Sequence, residues 1–340
     1  MYLILSTITA LLECGPIFLG IRFDYTPGQI LLLCFAYQFG NLFSSGLQQN
    51  QMAVTCGLSA LFLLPASLIR HPLWLQHGLF FLGIVLLSVA LQNARGQFKG
   101  TVSTVAKRLA RVTGFLLSPV AGYLPVLFFA LCPAIILTAL WQKDDREFPS
   151  MDRPAYFHAM WQNPSCHIML WHQLHYFSYA YGTILVFYSA TENAFLTMLV
   201  FACTWMTYLM TEPLLHFLFP AQESTYTRRY LFIGHTFLLL ILLLLPMARS
   251  TVSFAVLWIL TGFGGGTVFA ITALCREAPD YHQDVLNYTE NIGHFAGSGI
   301  AAIWALFFPD RLNMLPYLSS ICVIAVLIRT IHNHTRKENL

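Results

Sequence analysis

Apolar residues run along the chain in blocks of about 20, long enough for a helix to cross the roughly 30 Å hydrocarbon core of a bilayer. Charged residues, glycine and proline separate these blocks. Few blocks alternate apolar and polar residues with a period of two, which argues against an outer-membrane β-barrel. The pattern therefore predicts an all-α polytopic membrane protein. Its twelve predicted transmembrane helices are residues 2–21, 28–47, 52–70, 73–93, 102–122, 124–141, 166–190, 194–218, 229–248, 250–274, 286–308 and 312–331.

The longest interruption, residues 142–164, divides the predicted helices into two sets of six. Charged residues are concentrated in this interruption, which favours an exposed linker over a membrane segment. The predicted domains are an N-terminal six-helix bundle at 1–141, a cytoplasmic linker at 142–164, a C-terminal six-helix bundle at 165–332 and a cytoplasmic tail at 333–340.

Composition excludes a soluble globular protein, because 57% of the residues are hydrophobic and only 10% are charged. The first block lacks the basic start and the cleavage site of a signal peptide and contains Glu13, so we expect a retained helix. The eight cysteines form no C-x-x-C pair, which indicates neither a disulfide framework nor a zinc site. No cofactor, metal or nucleic-acid partner is predicted.

Orientation follows from the loops, because lysine and arginine accumulate on the cytoplasmic side. With Met1 inside, the cytoplasmic connections and the tail hold eleven cations and the outer connections hold four. The eleven are Arg95, Lys99, Lys143, Arg146, Arg153, Arg228, Arg229, Arg276, Arg329, Arg336 and Lys337, and the four are Arg22, Arg70, Arg249 and Arg311. This asymmetry predicts an inner-membrane protein with both termini in the cytoplasm.

The two halves carry a weak internal repeat. Predicted helices four to five and ten to eleven each combine a glycine-bearing helix, a short basic turn and a second helix with small residues. Setting Gly114 against Gly297 places Arg111 opposite His294 and Lys107 opposite Glu290. The repeat predicts two pseudo-symmetric six-helix bundles.

This organisation resembles the major facilitator superfamily of twelve-helix secondary transporters across essentially the whole chain. The segment Gly114-x-x-x-Ser118-Pro119-x-x-Gly122 is similar to the antiporter motif G-x-x-x-G-P-x-x-G-G in the fifth helix of that family. Ser118 and Tyr123 stand where the motif has glycines. The resemblance implies the fold of that family and an exporter that works by exchange, acting as a monomer.

Three cations lie in predicted helix five: Lys107, Arg108 and Arg111. A charge at bilayer depth costs at least a few kcal/mol, so it normally faces a water-filled cavity or a partner. With the helix ending near Gly122, Arg111 lies roughly 16 Å before that end. We expect the three cations to form a cavity wall that binds anionic substrates, with Arg111 as the deepest contact. Alternatively, the helix begins later and the cations mark its cytoplasmic mouth.

Two carboxylates are candidates for proton coupling. Glu13 is the one ionisable residue in the first predicted helix apart from tyrosine and cysteine, and a buried carboxylate without a cation holds a proton near neutral pH. The alternative is a structural pair between Glu13 and a helix-five cation. Glu290 and His294 are four residues apart in predicted helix eleven, where they line a cavity or form interhelical hydrogen bonds.

Predicted helix seven places His172, His175 and Tyr179 on one face, which we interpret as part of the substrate site. An aromatic belt at the membrane interface explains Tyr179 less well than the tryptophans nearby. A metal site is the alternative for the histidines, but no carboxylate or cysteine stands at a matching offset.

Together these features predict a secondary active transporter that exports a small anionic or zwitterionic metabolite by alternating access, with protons as counter-substrate and the site between the two halves. A siderophore-like or other organic anion fits the cations. Multidrug efflux and metal-ion transport by the same fold are alternatives. A membrane-embedded acyltransferase is the alternative from another class, and the lack of a nucleophile and base group in a sizeable loop disfavours it.

Overall fold

The computed structural model describes residues 1–43, 47–69, 71–98, 103–141, 153–218, 224–277 and 281–338. Within these residues the regular structure is helical, with fifteen α-helices and two short 3₁₀ segments at Leu245–Met247 and Pro309–Met314. The α-helices are α1 Tyr2–Arg22, α2 Pro27–Leu42, α3 Gln49–Leu68, α4 Leu73–Gln97, α5 Thr104–Leu117, α6 Val120–Tyr123, α7 Pro125–Trp141, α8 Arg153–Gln162, α9 Pro164–Thr191, α10 Ala194–Leu218, α11 Ser224–Leu244, α12 Thr251–Gly265, α13 Val268–Arg276, α14 Gln283–Phe307 and α15 Leu315–Glu338.

Several of these helices can cross a membrane, so the chain is a multi-pass membrane protein. Within the described ranges, seven spans are long and apolar enough, and Pro125–Trp141 is a shorter apolar helix. The seven are Tyr2–Arg22, Gln49–Leu68, Leu73–Gln97, Ala194–Leu218, Thr227–Met247, Thr251–Arg276 and Pro309–His332. Each of the twelve segments expected from the sequence overlaps a helix. The arrangement of twelve crossings in two bundles stays a prediction.

Two predicted helices are each interrupted by a short break. The helix expected at 102–122 ends at Leu117 and resumes as α6, because Pro119 has no N–H and the Ser118 hydroxyl donates to the Phe115 carbonyl at 2.7 Å. The helix expected at 250–274 breaks after Gly265, where the Thr267 hydroxyl donates to the Gly264 carbonyl at 2.7 Å. Side-chain hydrogen bonds to the backbone compete with the helical pattern at both places.

The predicted linker is helical in its second part, since α8 begins at Arg153. Residues 142–152 of that linker and the loop cations Arg70, Lys99, Lys143 and Arg146 lie outside the described residues. At the other end of the chain, α15 continues to Glu338, through most of the expected tail. Helix α8 and the last turns of α15 therefore lie in segments that the sequence assigns to the linker and the tail.

The chain divides into two compact units, Met1–Met151 with Ala302–Pro309 and Asp152–Ala301 with Asp310–Leu340. In the first unit, α1 packs against α2, α4, α5, α6 and α7. Glycines bring α5 and α6 against α1, since a Cβ at Gly114 would overlap the Thr7 carbonyl oxygen and one at Gly122 would lie 2.5 Å from the Phe18 carbonyl oxygen. Close backbone approach of this kind is typical of packed membrane helices.

In the second unit, α9 and α11 both pack against α15 and α13. Glycines again set the closest approaches: a Cβ at Gly297 of α14 would lie 2.5 Å from the Leu174 carbonyl oxygen of α9. Trp258 of α12 fills the interior beside Phe187 and Phe201, at ring-centroid distances of 5.7 and 5.9 Å. Seven of the eight cysteines are buried as free thiols, and Cys203 in α10 is exposed.

We expect Gly114→Ala to destabilise the protein by about 1–3 kcal/mol, because the added methyl group would overlap Thr7 and lie 2.8 Å from the Ala10 Cβ. Gly57→Ala is the matched control. Gly57 lies inside α3 with no atom within 4 Å of an added Cβ, so alanine there should leave stability unchanged or raise it. Thermal unfolding of the purified protein measures both, and equal effects would contradict the assigned α1–α5 contact.

Candidate functional site

An ion pair joins α5 to α1 in the first unit. Arg111 Nη2 donates to Glu13 Oε2 at 3.0 Å. The Glu13 side chain is 5% exposed, whereas the Arg111 side chain is 35% exposed. The hypothesis that Glu13 has no cation is therefore wrong, and the structure forms the alternative pair with a helix-five cation. Its role in proton coupling stays a prediction.

The position of Arg111 follows from the packing of its helix. Gly114, three residues later and thus on nearly the same face, holds α5 close against α1. The guanidinium of Arg111 also lies 5.8 Å from the centroid of the Phe115 ring, within the range of a cation–π contact. Helix packing thus sets the position of α5, and the contacts with the Phe115 ring and the Glu13 carboxylate set the position of the Arg111 guanidinium.

Further cations lie on α5 and on α4, the helix that also packs against α1. The Lys107 ammonium lies 5.3 Å from the Tyr2 ring centroid, and Arg108 is half-buried. Arg95 interacts electrostatically with both Glu13 and Arg111. This cluster thus contains four basic side chains, those of Arg95, Lys107, Arg108 and Arg111, and one acidic side chain, that of Glu13, so it has a formal surplus of positive charge.

The sequence predicts Arg95 in a cytoplasmic loop, because predicted helix four ends at residue 93. In the structure α4 continues to Gln97 and carries Arg95 on its last turns. Helix ends are the least reliable part of a sequence prediction. The Gly96 that follows Arg95 hid the continuation, since glycine inside a helix costs about 1 kcal/mol relative to alanine.

The second unit contains a buried histidine cluster, consisting of His172, His175 and His235. His235 Nδ1 lies 3.0 Å from the Leu231 carbonyl oxygen, which can only accept, so this nitrogen carries the proton. His172 Nδ1 therefore donates to His235 Nε2, at 3.0 Å. His235 was missed because it stands alone in a strongly apolar stretch of α11, where no spacing marks it.

His175 is the exceptional member of the cluster. Both of its ring nitrogens are buried and have no hydrogen-bond partner among the described residues. Its ring centroid lies 4.9 Å from that of His172, and it stacks on Tyr179 at 6.3 Å. Among the described residues, no group of three or more His, Cys, Asp or Glu side chains is arranged to hold a metal ion. The predicted face of His172, His175 and Tyr179 is thus turned to the core of its unit, and its role in substrate binding stays a prediction.

A different face of α9 contacts α14. His294 Nε2 and Gln173 Oε1 are 3.1 Å apart. Gly293 and Gly297 flank His294 and pack against α9. This contact is the interhelical hydrogen bond that the sequence left open for His294, and no sequence pattern singles out its partner, Gln173. Glu290 lies one turn before His294 on α14.

The internal repeat therefore has a structural counterpart in each unit. The pairing of Gly114 with Gly297 had placed Arg111 opposite His294. Each of these two residues lies three positions before its glycine, and each bonds the helix against which that glycine packs. In the first unit the contact joins two charged side chains. In the second unit it is a hydrogen bond from the imidazole ring of His294 to the side-chain amide of Gln173.

No protein-family model matches the sequence, and no curated protein matches it either. Solved structures are similar in fold. A bacterial metal transporter has a TM-score of 0.64 at 12% sequence identity, covering 97% of both chains. An outward-facing bacterial homologue of the iron transporter ferroportin has a TM-score of 0.57 at 13% identity, covering 97% of this chain and 98% of the other. The nucleoside transporter NupG has a TM-score of 0.66 at 12% identity, covering 96% of both chains.

These three proteins have the major facilitator fold, so the resemblance inferred from the sequence is confirmed for the fold. Their sequence identities of 12–13% are too low to carry a substrate from any of them to this chain. The three proteins also differ from one another in the kind of substrate that their names give. Substrate must therefore be argued from the side chains described above.

We expect His175→Leu to leave stability unchanged or to raise it, because the substitution removes two buried nitrogens that lack hydrogen-bond partners. His172→Leu should lower it by about 1–3 kcal/mol, since it leaves His235 Nε2 buried without its donor. Thermal unfolding of the two purified variants measures the difference. Equal destabilisation would show that His175 makes a polar interaction of its own.

Proposed function

We propose that this chain is a secondary active transporter for a small anionic or zwitterionic metabolite, working by alternating access and coupled to protons at Glu13. The observation that carries the proposal is the Glu13–Arg111 ion pair within a surplus of cations. The fold likeness to transporters supports transport over the acyltransferase alternative. No part of the proposal uses a cofactor.

Substrate charge follows from the composition of the cluster. A guanidinium binds carboxylate or phosphate groups through two parallel hydrogen bonds, and Arg111 is accessible over about a third of its side chain. Arg95 and Lys107 add positive charge nearby. An arriving anion meets Arg111 before it meets the more deeply buried Glu13. Carboxylate-rich chelators of the siderophore type are one substrate class with this chemistry.

Proton coupling follows from competition for Arg111. An anion that binds Arg111 weakens its hydrogen bond to Glu13 and adds negative charge beside a carboxylate that is only 5% exposed. An ionised carboxylate without its cation is strongly disfavoured at such a site, so Glu13 takes up a proton. A purely anionic substrate and a proton therefore bind together, which is cotransport.

A zwitterion reverses this coupling. Its carboxylate binds Arg111 while its ammonium group replaces the guanidinium as the partner of Glu13, which must then be ionised, so the zwitterion and the proton cannot be bound together. Exchange results when the carrier returns without substrate in the form with Glu13 protonated, as the resemblance of Gly114 to Gly122 to the antiporter motif implies. Export across the inner membrane, with both termini cytoplasmic, belongs to this form of the proposal. The ammonium group of the substrate thus decides the direction of coupling.

Metal-ion transport is the second candidate, and the observation that favours it is His175, whose two buried ring nitrogens have no hydrogen-bond partner among the described residues. The histidine cluster as it stands in this structure is not arranged around a metal ion. This candidate predicts that replacing His172 and His175 abolishes metal binding and that Arg111→Ala leaves it intact. The main proposal predicts that Arg111→Ala abolishes binding of the organic substrate.

We expect Arg111→Gln to weaken binding of citrate, malate or serine at least tenfold, because a hydrogen bond to a charged group contributes about 1.5–3 kcal/mol. Glu13→Gln should strengthen binding of the two anions severalfold, since it removes the internal competitor for Arg111. Arg249→Gln, at an exposed arginine next to α12, is the control and should bind like the wild type. Calorimetry on the purified protein measures the affinities, and unchanged binding in Arg111→Gln would overturn the proposal.

Proteoliposomes with an internal pH dye test the coupling. Entry of malate should acidify the interior, because each anion carries a proton held by Glu13. Entry of serine should make the interior more alkaline, because the carrier returns outward without substrate and with a proton on Glu13 that it took from the interior. Glu13→Gln should bind the substrates and move no protons with them. Proton movement that persists in Glu13→Gln would show that another group carries the coupling.

A further inference from the structure

A cavity of about 210 Å³ lies within the second unit, where the first turns of α9 and α14 meet the end of α13. This volume is ample for an ion or a small ligand, since a single water molecule needs roughly 10–15 Å³. The thiols of Cys166 and Cys275 line the cavity together with the apolar side chains of Val285 and Leu286. His282 lines it as well, and its side chain is 60% exposed, so the cavity has an entry path from the surface at that residue.

The two thiols of this cavity are in direct contact, although they come from different helices. Cys166 belongs to the first turn of α9 and Cys275 to the last turn of α13. Their side chains are hydrogen-bonded to each other, and Cys166 is also hydrogen-bonded to the Thr289 side chain of α14. Both cysteines are at most 2% exposed. Helix packing thus holds two sulfur atoms at one point, which is the support that a two-ligand site requires.

The position of Cys166 favours a negatively charged sulfur. The N-terminus of a helix carries a partial positive charge, and Cys166 is the third residue of the 28-residue helix α9. Two thiolates around a monovalent cation carry one net negative charge. The end of α9 therefore offsets part of the charge that such a complex would place in the cavity.

The number and the softness of the ligands select the ion. Thiolates select soft ions such as Cu(I), whereas a structural zinc ion takes four ligands. Among the described residues, no group of three or more His, Cys, Asp or Glu side chains is arranged around a metal ion. Two thiolates are sufficient for Cu(I), which forms linear complexes with two sulfur ligands. The cations of the loops predict that this end of the unit faces the cytoplasm, where thiols stay reduced and do not form a disulfide.

We propose that Cys166 and Cys275 form a binding site for one soft monovalent metal ion, Cu(I). Both thiols lose their protons, two Cu–S bonds form, and the oxidation state of copper does not change. The bound ion joins the start of α9 to the end of α13 and therefore stabilises the folded second unit. The site is separate from the histidine cluster and from the Glu13–Arg111 pair, so it does not depend on the proposed function.

Cu(I) itself is the probe for this site. Full-length protein in detergent, reduced and kept free of oxygen, is added to the coloured complex of Cu(I) with bicinchoninate. The wild type should withdraw one equivalent of copper, whereas Cys166→Ser and Cys275→Ser should each withdraw none. Cu(I) should raise the unfolding temperature of the wild type and leave that of both variants unchanged.

The matched control removes another pair of neighbouring buried thiols, Cys56 and Cys132 of the first unit. Cys56 donates its S–H to the Pro133 carbonyl at 3.4 Å. The double variant Cys56→Ser, Cys132→Ser should withdraw one equivalent of copper like the wild type. A wild type that withdraws none, a Cys166→Ser or Cys275→Ser variant that still withdraws it, or a control that loses it would overturn the inference.

X-ray absorption at the copper edge tests the wild type without any substitution, so its result does not depend on the folding of a variant. The spectrum should show sulfur atoms as the nearest neighbours of copper. Nitrogen neighbours, which the histidine cluster would supply, would contradict the assignment to the two cysteines.

Discussion

A carboxylate buried among membrane helices must be neutralised, and in this chain Arg111 neutralises Glu13. The hydrogen bond between them is short, yet one partner is almost fully buried and the other is a third exposed. Glycine contacts between α5 and α1 bring the two side chains within reach. The substrate charge and the coupling proposed for this protein both depend on that one pair. Removing either partner would leave an uncompensated charge.

Much of the fold could be predicted because the blocks of apolar residues are long and recur regularly along the sequence. Blocks of apolar residues identified the helices, and the positions of Glu13 and Arg111 stood out because charges are rare in such blocks. A pair between Glu13 and a cation of predicted helix five was one of the two alternatives that the sequence left open. Choosing between the alternatives required the rotation of α1 relative to α5, which no one-dimensional pattern contains.

The residues that sequence analysis missed share one property: none of them interrupts a pattern. Gln173 lies in a helix already rich in polar aromatic residues, and His235 is one histidine in a long apolar stretch. Arg95 was assigned to a loop because helix ends are poorly defined in sequence. The histidines that did attract attention, His172 and His175, are turned to the interior of their unit. Spacing alone shows which residues share a face, and packing decides what that face meets.

The cysteines have a practical consequence for studying this protein. Seven thiols are buried, and the exposed one, Cys203, lies in the middle of an apolar helix that can span the membrane. A water-soluble reagent does not enter the hydrocarbon core of a bilayer, where the middle of such a helix lies. The natural chain should therefore react very little with water-soluble maleimides. Spin labels or fluorophores can be attached at introduced cysteines without first replacing the eight that are already there.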